Sequence, residues 1–445
     1  MTIQQMFFIG AGAVGPKKNG FYSYLIGASP VVMQGVATGN DSSGNVYSAS
    51  GDAQTGVSAA ALYVSKTNSV GAIQFQRKIT SSTYNITRPM FLCADTSGNT
   101  YMTSMWGTGS LGAQSLLLRY GNTGTISFQR QINGPAGSTG FNVGGVSVNS
   151  GGTACALVGY YASGGVAYGV VMNYTSAGTL SWQRSFSGGS VTLWSTNGSV
   201  GANSSTVFDS AGNVYSAQGG LVSTTYNLYI FKYNSTGTIQ WQRQLSRTGS
   251  SLTSGLLARD TADNLIIGTG FGIVKYNSSG TYQWGISVNT GIQSVTTDPS
   301  NNIYAVNSVA GNTAVNVYAF NSSGTLLWAN QITITSGTGQ GFTCSPGGIS
   351  YNSTLTTVTG CVRAYNSTGS YAFTFSVPVD GSLTGTSTTV GNLTIAYNST
   401  SPTVATDSTY TSSTSTLTDA AGSAVSATGT YTDAAGALTT AVGTF

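Results

Sequence analysis

The chain has 445 residues, of which only 6% are charged and 61 are glycine; it has no histidine, and its eleven acids, all aspartate, face fifteen Lys and Arg for a net charge of +4. Glu and Lys favour helices whereas Gly, Ser, Thr, Tyr and Val do not, so a helical fold is excluded. A hydrophobic content of 40% with 25 Tyr, 16 Phe and 6 Trp excludes a disordered chain as well, and an all-β fold with a packed core remains.

The first eighteen residues, MTIQQMFFIGAGAVGPKK, place their lysines after a short apolar stretch, the reverse of a secretory signal. No apolar run reaches transmembrane length, so no membrane insertion is expected. Next, Phe21-Tyr22-Ser23-Tyr24-Leu25 has the look of a strand without a sheet of its own.

From Val31 to Val377 two signatures recur, the first in five copies and the second in seven. The first, D-x-x-G-N-x-Y, occurs as DSSGNVY at 41–47, DTSGNTY at 95–101 and DSAGNVY at 209–215, with weaker copies DTADNLI at 260–266 and DPSNNIY at 298–304. The third and seventh repeats carry NSGGTAC at 149–155 and NSTLTTV at 352–358 in its place. The second, G-T-I-x-W-Q-R, occurs at 71–77, 124–130, 178–184 and 237–243 and decays to GTYQWGI at 280–286, GTLLWAN at 324–330 and GSYAFTF at 369–375.

Asp opens a tight turn by bonding its own backbone two residues on, and Gly and Asn tolerate positive φ. The alternating residues that follow read as a strand. Each repeat is therefore four antiparallel strands, A to D, with turns after A and C. Units of this size cannot bury both faces alone and close their core by stacking in a ring, so the expected fold is a β-propeller. Seven blades are expected, or eight if residues 21–26 join strands from 383–397. Otherwise 21–26 closes the ring against the last blade.

Together the two motifs resemble the propeller repeats of the PQQ-like and SBBP type over about 31–377, near three quarters of the chain. Propellers of this make, rich in Ser, Thr, Asn and Gly and poor in charge, also resemble those of virion and tail proteins of tailed bacteriophages. The resemblance implies an architecture and a setting. It does not imply an activity, because such repeats serve scaffolds, adhesins and enzymes alike.

The domain boundaries expected are an N-terminal segment (1–30), the propeller (31–378) and a Ser/Thr/Ala/Gly-rich β extension (379–445). That extension repeats the turn TDAAG at 418–422 and 432–436 and carries four Asp and no cation. It reads as hairpins forming an attachment module, an oligomerisation strand set or an added blade. The remaining chain holds fifteen cations against seven aspartates, a balance of +8.

Without His or Glu, acid–base chemistry would fall to Asp, Tyr, Lys or Cys. Five aspartates are turn residues, four lie in the extension, Asp263 sits inside a repeat turn, and Asp52 is left. No triad, paired carboxylate or metal-ligand set emerges, and a quinoprotein would need acidic Ca²⁺ ligands that are missing. No enzyme activity, cofactor or metal is expected.

Eight cations follow the repeat: Arg77, Arg130, Arg184 and Arg243 in strand D, and Lys66, Arg119, Lys232 and Lys275 in strand C. Spread around a ring, they read as stacking on neighbours or pairing with a turn Asp between blades, and not as a nucleic-acid surface. Cys93, Cys155, Cys344 and Cys361 have no metal spacing and read as buried thiols, with a Cys344–Cys361 bridge left open.

Trp182, Trp241, Trp284 and Trp328 belong to strand D and the core. Tyr84, Trp106, Phe141, Tyr160, Tyr161, Tyr168 and Trp194 fall off the repeat, on the rim of B–C loops and D–A connections of repeats one to three. They read as a one-sided binding rim, since flat aromatic faces among Asn, Ser and Gly suit sugars or another protein. The expected role is a structural or adhesive propeller of a bacteriophage virion, on capsid or tail, with other virion proteins or a host-surface glycan as partners. A bacterial cell-surface lectin or adhesin is the alternative.

Overall fold

A computed structural model of the protein describes residues 21–26, 33–52, 61–69, 71–80, 86–106, 114–138, 140–188, 191–193, 204–222, 224–250, 252, 256–289, 291–309, 312–335, 341–366, 369–390, 393–415, 417–421, 425–428, 432–435 and 439–444. Among these, every strand belongs to one of seven antiparallel sheets, which makes the molecule a seven-bladed β-propeller.

Blades 1 to 6 take strands A to D in chain order. Blade 1 runs through Met33–Asn40, Val46–Asp52, Leu62–Thr67 and Ile73–Thr80; blade 4 through Ser204–Phe208, Val214–Val222, Thr225–Tyr233 and Ile239–Arg247; blade 5 through Leu256–Arg259, Leu265–Thr269, Gly272–Tyr276 and Tyr282–Val288. Blade 7 is assembled from both ends of the chain. Its strands A to C are Gly341–Asn352, Thr357–Asn366 and Gly369–Pro378, and strand D is Phe21–Ile26, with Tyr22 opposite Phe375. The orphan strand at 21–26 therefore closes the ring, and blade count is seven. One assignment changes: GSYAFTF at 369–375 lies in strand C, not strand D, which explains why it departs furthest from the second signature.

The segment after residue 379 is neither a separate hairpin module nor an eighth blade. It runs backwards around the propeller and adds a fifth, outer strand to every blade. Leu393–Ser399 pairs with blade 6, Val404–Thr406 with blade 5, Tyr410–Thr414 with blade 4, Thr418–Ala421 with blade 3, Val425–Thr428 with blade 2 and Thr432–Ala435 with blade 1. Thr439–Thr444 then pairs with Phe21–Ile26 and completes blade 7. The two TDAA segments are thus strands of one belt, two blades apart, with Val425–Thr428 of blade 2 between them.

The core lies between blades. Ala37, Tyr47, Val64 and Ile79 of blade 1 pack with Leu92, Met102, Leu118 and Tyr120 of blade 2, all buried. Tyr215, Ile230 and Leu245 pack likewise with Leu265, Ile267 and Val274. The belt reaches into these seams: Tyr410 joins the seam of blades 4 and 5, and Leu417 that of blades 3 and 4.

The second signature acquires a reason here. Each strand-D aromatic is covered by the C–D turn glycine of the next blade: Gly124 sits on Phe75, Gly178 on Phe128, Gly237 on Trp182 and Gly280 on Trp241. Gly280 has φ +77°, and a Cβ there would stand 2.7 Å from Trp241 Cδ2. Gly280→Ala is expected to cost about 2–4 kcal/mol, from left-handed backbone strain plus the overlap, measured as a lower urea midpoint.

Where the first signature is weak, its glycine position holds Asp263 (φ 60°) and Asn301 (φ 65°), residues that tolerate this conformation. Both use their side chains to reach the preceding blade. Asp263 accepts from Ser210 N at 2.9 Å, and Asn301 from Thr261 N at 2.9 Å and Thr261 Oγ1 at 2.8 Å.

Candidate functional site

Three places could carry function: the turn network on one side of the ring, the central channel, and the opposite rim.

In the turns, Asp41 Oδ1 accepts from Ser43 N at 2.9 Å and Asn45 N at 3.0 Å, while Oδ2 accepts from Asn45 Nδ2 at 2.7 Å and Tyr47 OH at 2.9 Å. Asp95, Asp209, Asp260 and Asp298 repeat the pattern with their own Asn. The Asn residues that replace Asp in blades 3 and 7 still organise the turn: Asn149 Oδ1 accepts from Thr153 N, and Asn352 Oδ1 from Leu355 N.

Of the two roles expected of the repeat cations, stacking is found for Arg130 over Phe128 at 5.6 Å and Arg243 over Trp241 at 5.7 Å, while the pairing with turn Asp falls to lysines within a blade. The strand-C lysines pair with the turn Asp of their own blade, Lys232 with Asp209 at 3.0 Å and Lys275 with Asp260 at 2.9 Å. They then reach a turn carbonyl of the next blade, Ser278 and Ser322 respectively. Two of the strand-D arginines bond carbonyls instead. Arg130 Nε donates to Gly178 O at 2.6 Å and Arg243 Nε to Gly280 O at 2.8 Å. All eight aspartates whose side chains are described are engaged, Asp263 with Arg259 at 2.7 Å and Asp407 with Arg247 at 2.9 Å included, whereas the side chains of Asp52, Asp419 and Asp433 lie outside the described residues.

These contacts set a pH dependence. Burial by itself pushes the Asp209 carboxyl up, but hydrogen bonds from Asn213 and Lys232 outweigh it, so Asp209 lies below its ordinary value. Asn264 and Lys275 do the same for Asp260, and Thr409 and Arg247 for Asp407. A folded-state pKa below the unfolded one gives stability that is present above the unfolded value and lost as pH falls through the folded one. The urea midpoint is therefore expected to stay flat from about pH 5 to 8, where no histidine titrates, and to fall below about pH 4.

The central channel, of about 360 Å³, is lined by strand A of all seven blades. Its polar side chains join neighbouring blades. Ser147 Oγ lies 3.0 Å from Thr206 Oγ1, Asn40 Nδ2 donates to Ser350 Oγ at 2.8 Å, and Thr297 Oγ1 donates to Arg259 O. Arg259 is its charged wall residue, already paired with Asp263. The free thiols Cys93 and Cys155 are held protonated at neutral pH by burial, Cys155 with its pKa pushed up to about 12. The possible Cys344–Cys361 bridge turns on Cys344, whose side chain lies outside the described residues.

On the opposite rim the seven aromatic residues separate. Phe141 is fully buried, against Gly159, and Tyr161 is 3% exposed, so these two are packing residues and offer no free face. Tyr160, Tyr161 and Tyr168 stand in strands, not loops: Ala154–Ser163 and Val166–Thr175 of blade 3 form a tall hairpin turned by Gly164-Gly165. Tyr161 stacks on Tyr168 at 5.1 Å, and Tyr160 and Tyr168 are half-buried. Trp106 ends strand B of blade 2, opposite Gln114, with its side chain outside the described residues. Tyr84 and Trp194 lie outside them altogether.

Two features of this rim escaped the sequence. Val166, at the hairpin tip, is 37% exposed, and Val191–Leu193 adds a strand against Gly220–Val222 of blade 4. Blades 3 and 4 thus rise together. The sequence signal for the hairpin was Gly164-Gly165, whose paired positive φ values suit a two-residue turn.

No family model matches the chain, and no curated protein matches it. Solved structures similar to it include the β-propeller domain of the Trilobed protease from Pyrococcus furiosus, 10% identical over 77% of this chain and 93% of that one, with a TM-score of 0.42. A protein of unknown function from Bacteroides caccae is 11% identical over 68% of this chain and 93% of that chain (TM-score 0.39). Prolyl oligopeptidase B from Galerina marginata is 10% identical over 79% and 52% (TM-score 0.40). Likenesses of this size carry no argument about activity or partners. The seven-bladed architecture rests on the sheet topology itself.

Proposed function

We propose that this chain is a non-enzymatic structural or adhesive propeller that presents the rim of blades 2 to 4, raised at blades 3 and 4, to a partner on a surface. The observation that carries the reading is the commitment of eight aspartates, Asp41, Asp95, Asp209, Asp260, Asp263, Asp298, Asp380 and Asp407, to a turn or an ion pair within the scaffold. Carboxylates fixed in that way hold the turns and blades together and are not free to move a proton. The setting proposed is the virion of a tailed bacteriophage, supported by the Ser/Thr/Asn/Gly-rich, charge-poor composition.

Mass spectrometry of particles purified from the source that encodes the chain is expected to find it in stoichiometric amounts. Its absence from particles, with retention on bacterial cells, would replace the virion with a cell-surface adhesin. For the rim, Trp106→Ala with Trp194→Ala is expected to weaken binding to host cells while leaving the urea midpoint in place. Unchanged binding by a folded double variant would remove the rim from the proposal.

A further inference from the structure

The belt covers only part of strand D. In blade 4 its register runs from Arg247, opposite Tyr410, to Arg243, opposite Thr414, and then leaves for blade 3. Residues 239–242 keep an open outer edge, and side chains blunt it: Gln240 Nε2 bonds Thr238 O at 3.3 Å, and Arg243 Nη1 bonds Gln242 O at 2.8 Å. Above the end of the belt lies a groove of about 650 Å³, walled by Trp241 and Arg243 of blade 4 and Ser278 and Ser279 of blade 5. Its size falls within the range of about 300–1,000 Å³ common for small-ligand sites.

The charges in this groove are unequal. Lys232 is neutralised by Asp209 and saturated by Tyr215 OH at 2.9 Å and Ser278 O. Arg243 has no carboxylate partner among the described residues. Two carbonyls, of Gly280 and Gln242, hold its guanidinium in place, and its remaining N–H groups are available. Around it stand the exposed Gln240, Ser279 and Thr414, neutral groups that can both donate and accept. Trp241 supplies an apolar wall, its indole N–H already bonded to Ser278 O at 3.2 Å.

One fixed, uncompensated guanidinium among hydroxyl and amide groups fits one carboxylate on a polyhydroxylated body. A polyphosphate or nucleic acid would call for several cations. We propose that the groove between blades 4 and 5 binds an acidic saccharide, with Arg243 on the carboxylate and Gln240, Ser279 and Thr414 on the hydroxyls. Trp and Arg stand together here, as they do at Trp182 and Arg184 of blade 3, whereas the matching positions are Phe128 and Arg130 in blade 2 and Trp284 and Ile286 in blade 5. The groove lies on the turn side of the ring, away from the rim of blades 3 and 4, so either surface can fail without the other.

The test is calorimetric titration of the full chain with trigalacturonate, maltotriose, acetate and inorganic phosphate. Trigalacturonate is expected to bind, with maltotriose and acetate each weaker by about tenfold or more. Arg243→Gln is expected to lower trigalacturonate affinity by about tenfold or more. Trp241→Phe, which places there the residue that blades 1 and 2 already use, is expected to weaken it less. Circular dichroism and the urea midpoint check that each variant is folded. No binding of trigalacturonate, equal binding of maltotriose, or a folded Arg243→Gln protein with unchanged affinity overturns the proposal. Acetate or phosphate binding as tightly as trigalacturonate overturns the saccharide and leaves a simple anion site.

Discussion

A chain ending at Thr400 is expected to lose on the order of 10 kcal/mol of stability, comparable to the whole stability of an ordinary domain. The cut removes the outer strand from six blades and leaves the hairpin Thr386–Val390 with Leu393–Ser399 on blade 6. Tyr410 and Leu417 leave seams in which they are 5% and 3% exposed, at about 2–3 kcal/mol each. Arg247 loses Asp407 at 2.9 Å and remains in a mostly buried place, stacked over Phe271 at 4.4 Å, which adds about 3–5 kcal/mol.

The same cut uncovers one edge of Phe21–Ile26, the strand that closes the ring. Open strand edges pair between molecules, so the shortened chain is also expected to aggregate. Urea denaturation followed by tyrosine and tryptophan emission, with light scattering on the folded sample, reads both effects. An unchanged midpoint with no scattering would show that the belt is decoration and not part of the closure.

The second large effect is expected at a turn. Asp209→Ala removes the acceptor for Ala211 N, Asn213 N and Asn213 Nδ2 at 3.0, 2.8 and 2.7 Å and strands Lys232, whose side chain is 11% exposed. Breaking a buried pair on one side costs about 3–5 kcal/mol, because the remaining charge is left without a partner. The protein itself suggests the rescue. Where Asp becomes Asn149 in blade 3, the strand-C cation is replaced by Asn173, and where it becomes Asn352 in blade 7 the position holds Ser376.

Asp209→Asn with Lys232→Asn is therefore expected to recover most of the loss in a double-mutant cycle. Additive costs would show that the turn, and not the ion pair, carries the energy. Blade 6 keeps Asp298 beside Ala319, and there Tyr304 OH donates to the carboxylate at 3.0 Å.

Local chemistry repeated seven times was readable without coordinates. An Asp or Asn opening each A–B turn is legible because its side chain bonds the backbone of its own turn, and the alternation after it specifies a strand of defined facing. The closing strand was legible too, since Phe21-Tyr22-Ser23-Tyr24-Leu25 alternates as a D strand and has no neighbours in sequence to pair with. The candidate groove was not legible. Trp241 and Arg243 could be placed on one face of strand D, but their partner surface is a turn of the following blade, thirty-seven residues on from Trp241 at Ser278.

What the sequence by itself determined was the blade, with its turns and its strand order, while the choice between seven and eight blades waited on where residues 21–26 pair. Only the tertiary structure decided where the last sixty-odd residues go, because short Thr/Ser/Ala strands carry no signal for which distant edge they will pair with. It also decided that Phe141 and Tyr161 face inward, and that Arg130 and Arg243 of strand D bond glycine carbonyls while the strand-C lysines take the turn aspartates. The physical reason is common to all three. Turns and alternation are interactions within a few residues, whereas belt pairing, rim burial and the choice of acceptor depend on groups that meet only once the ring has closed.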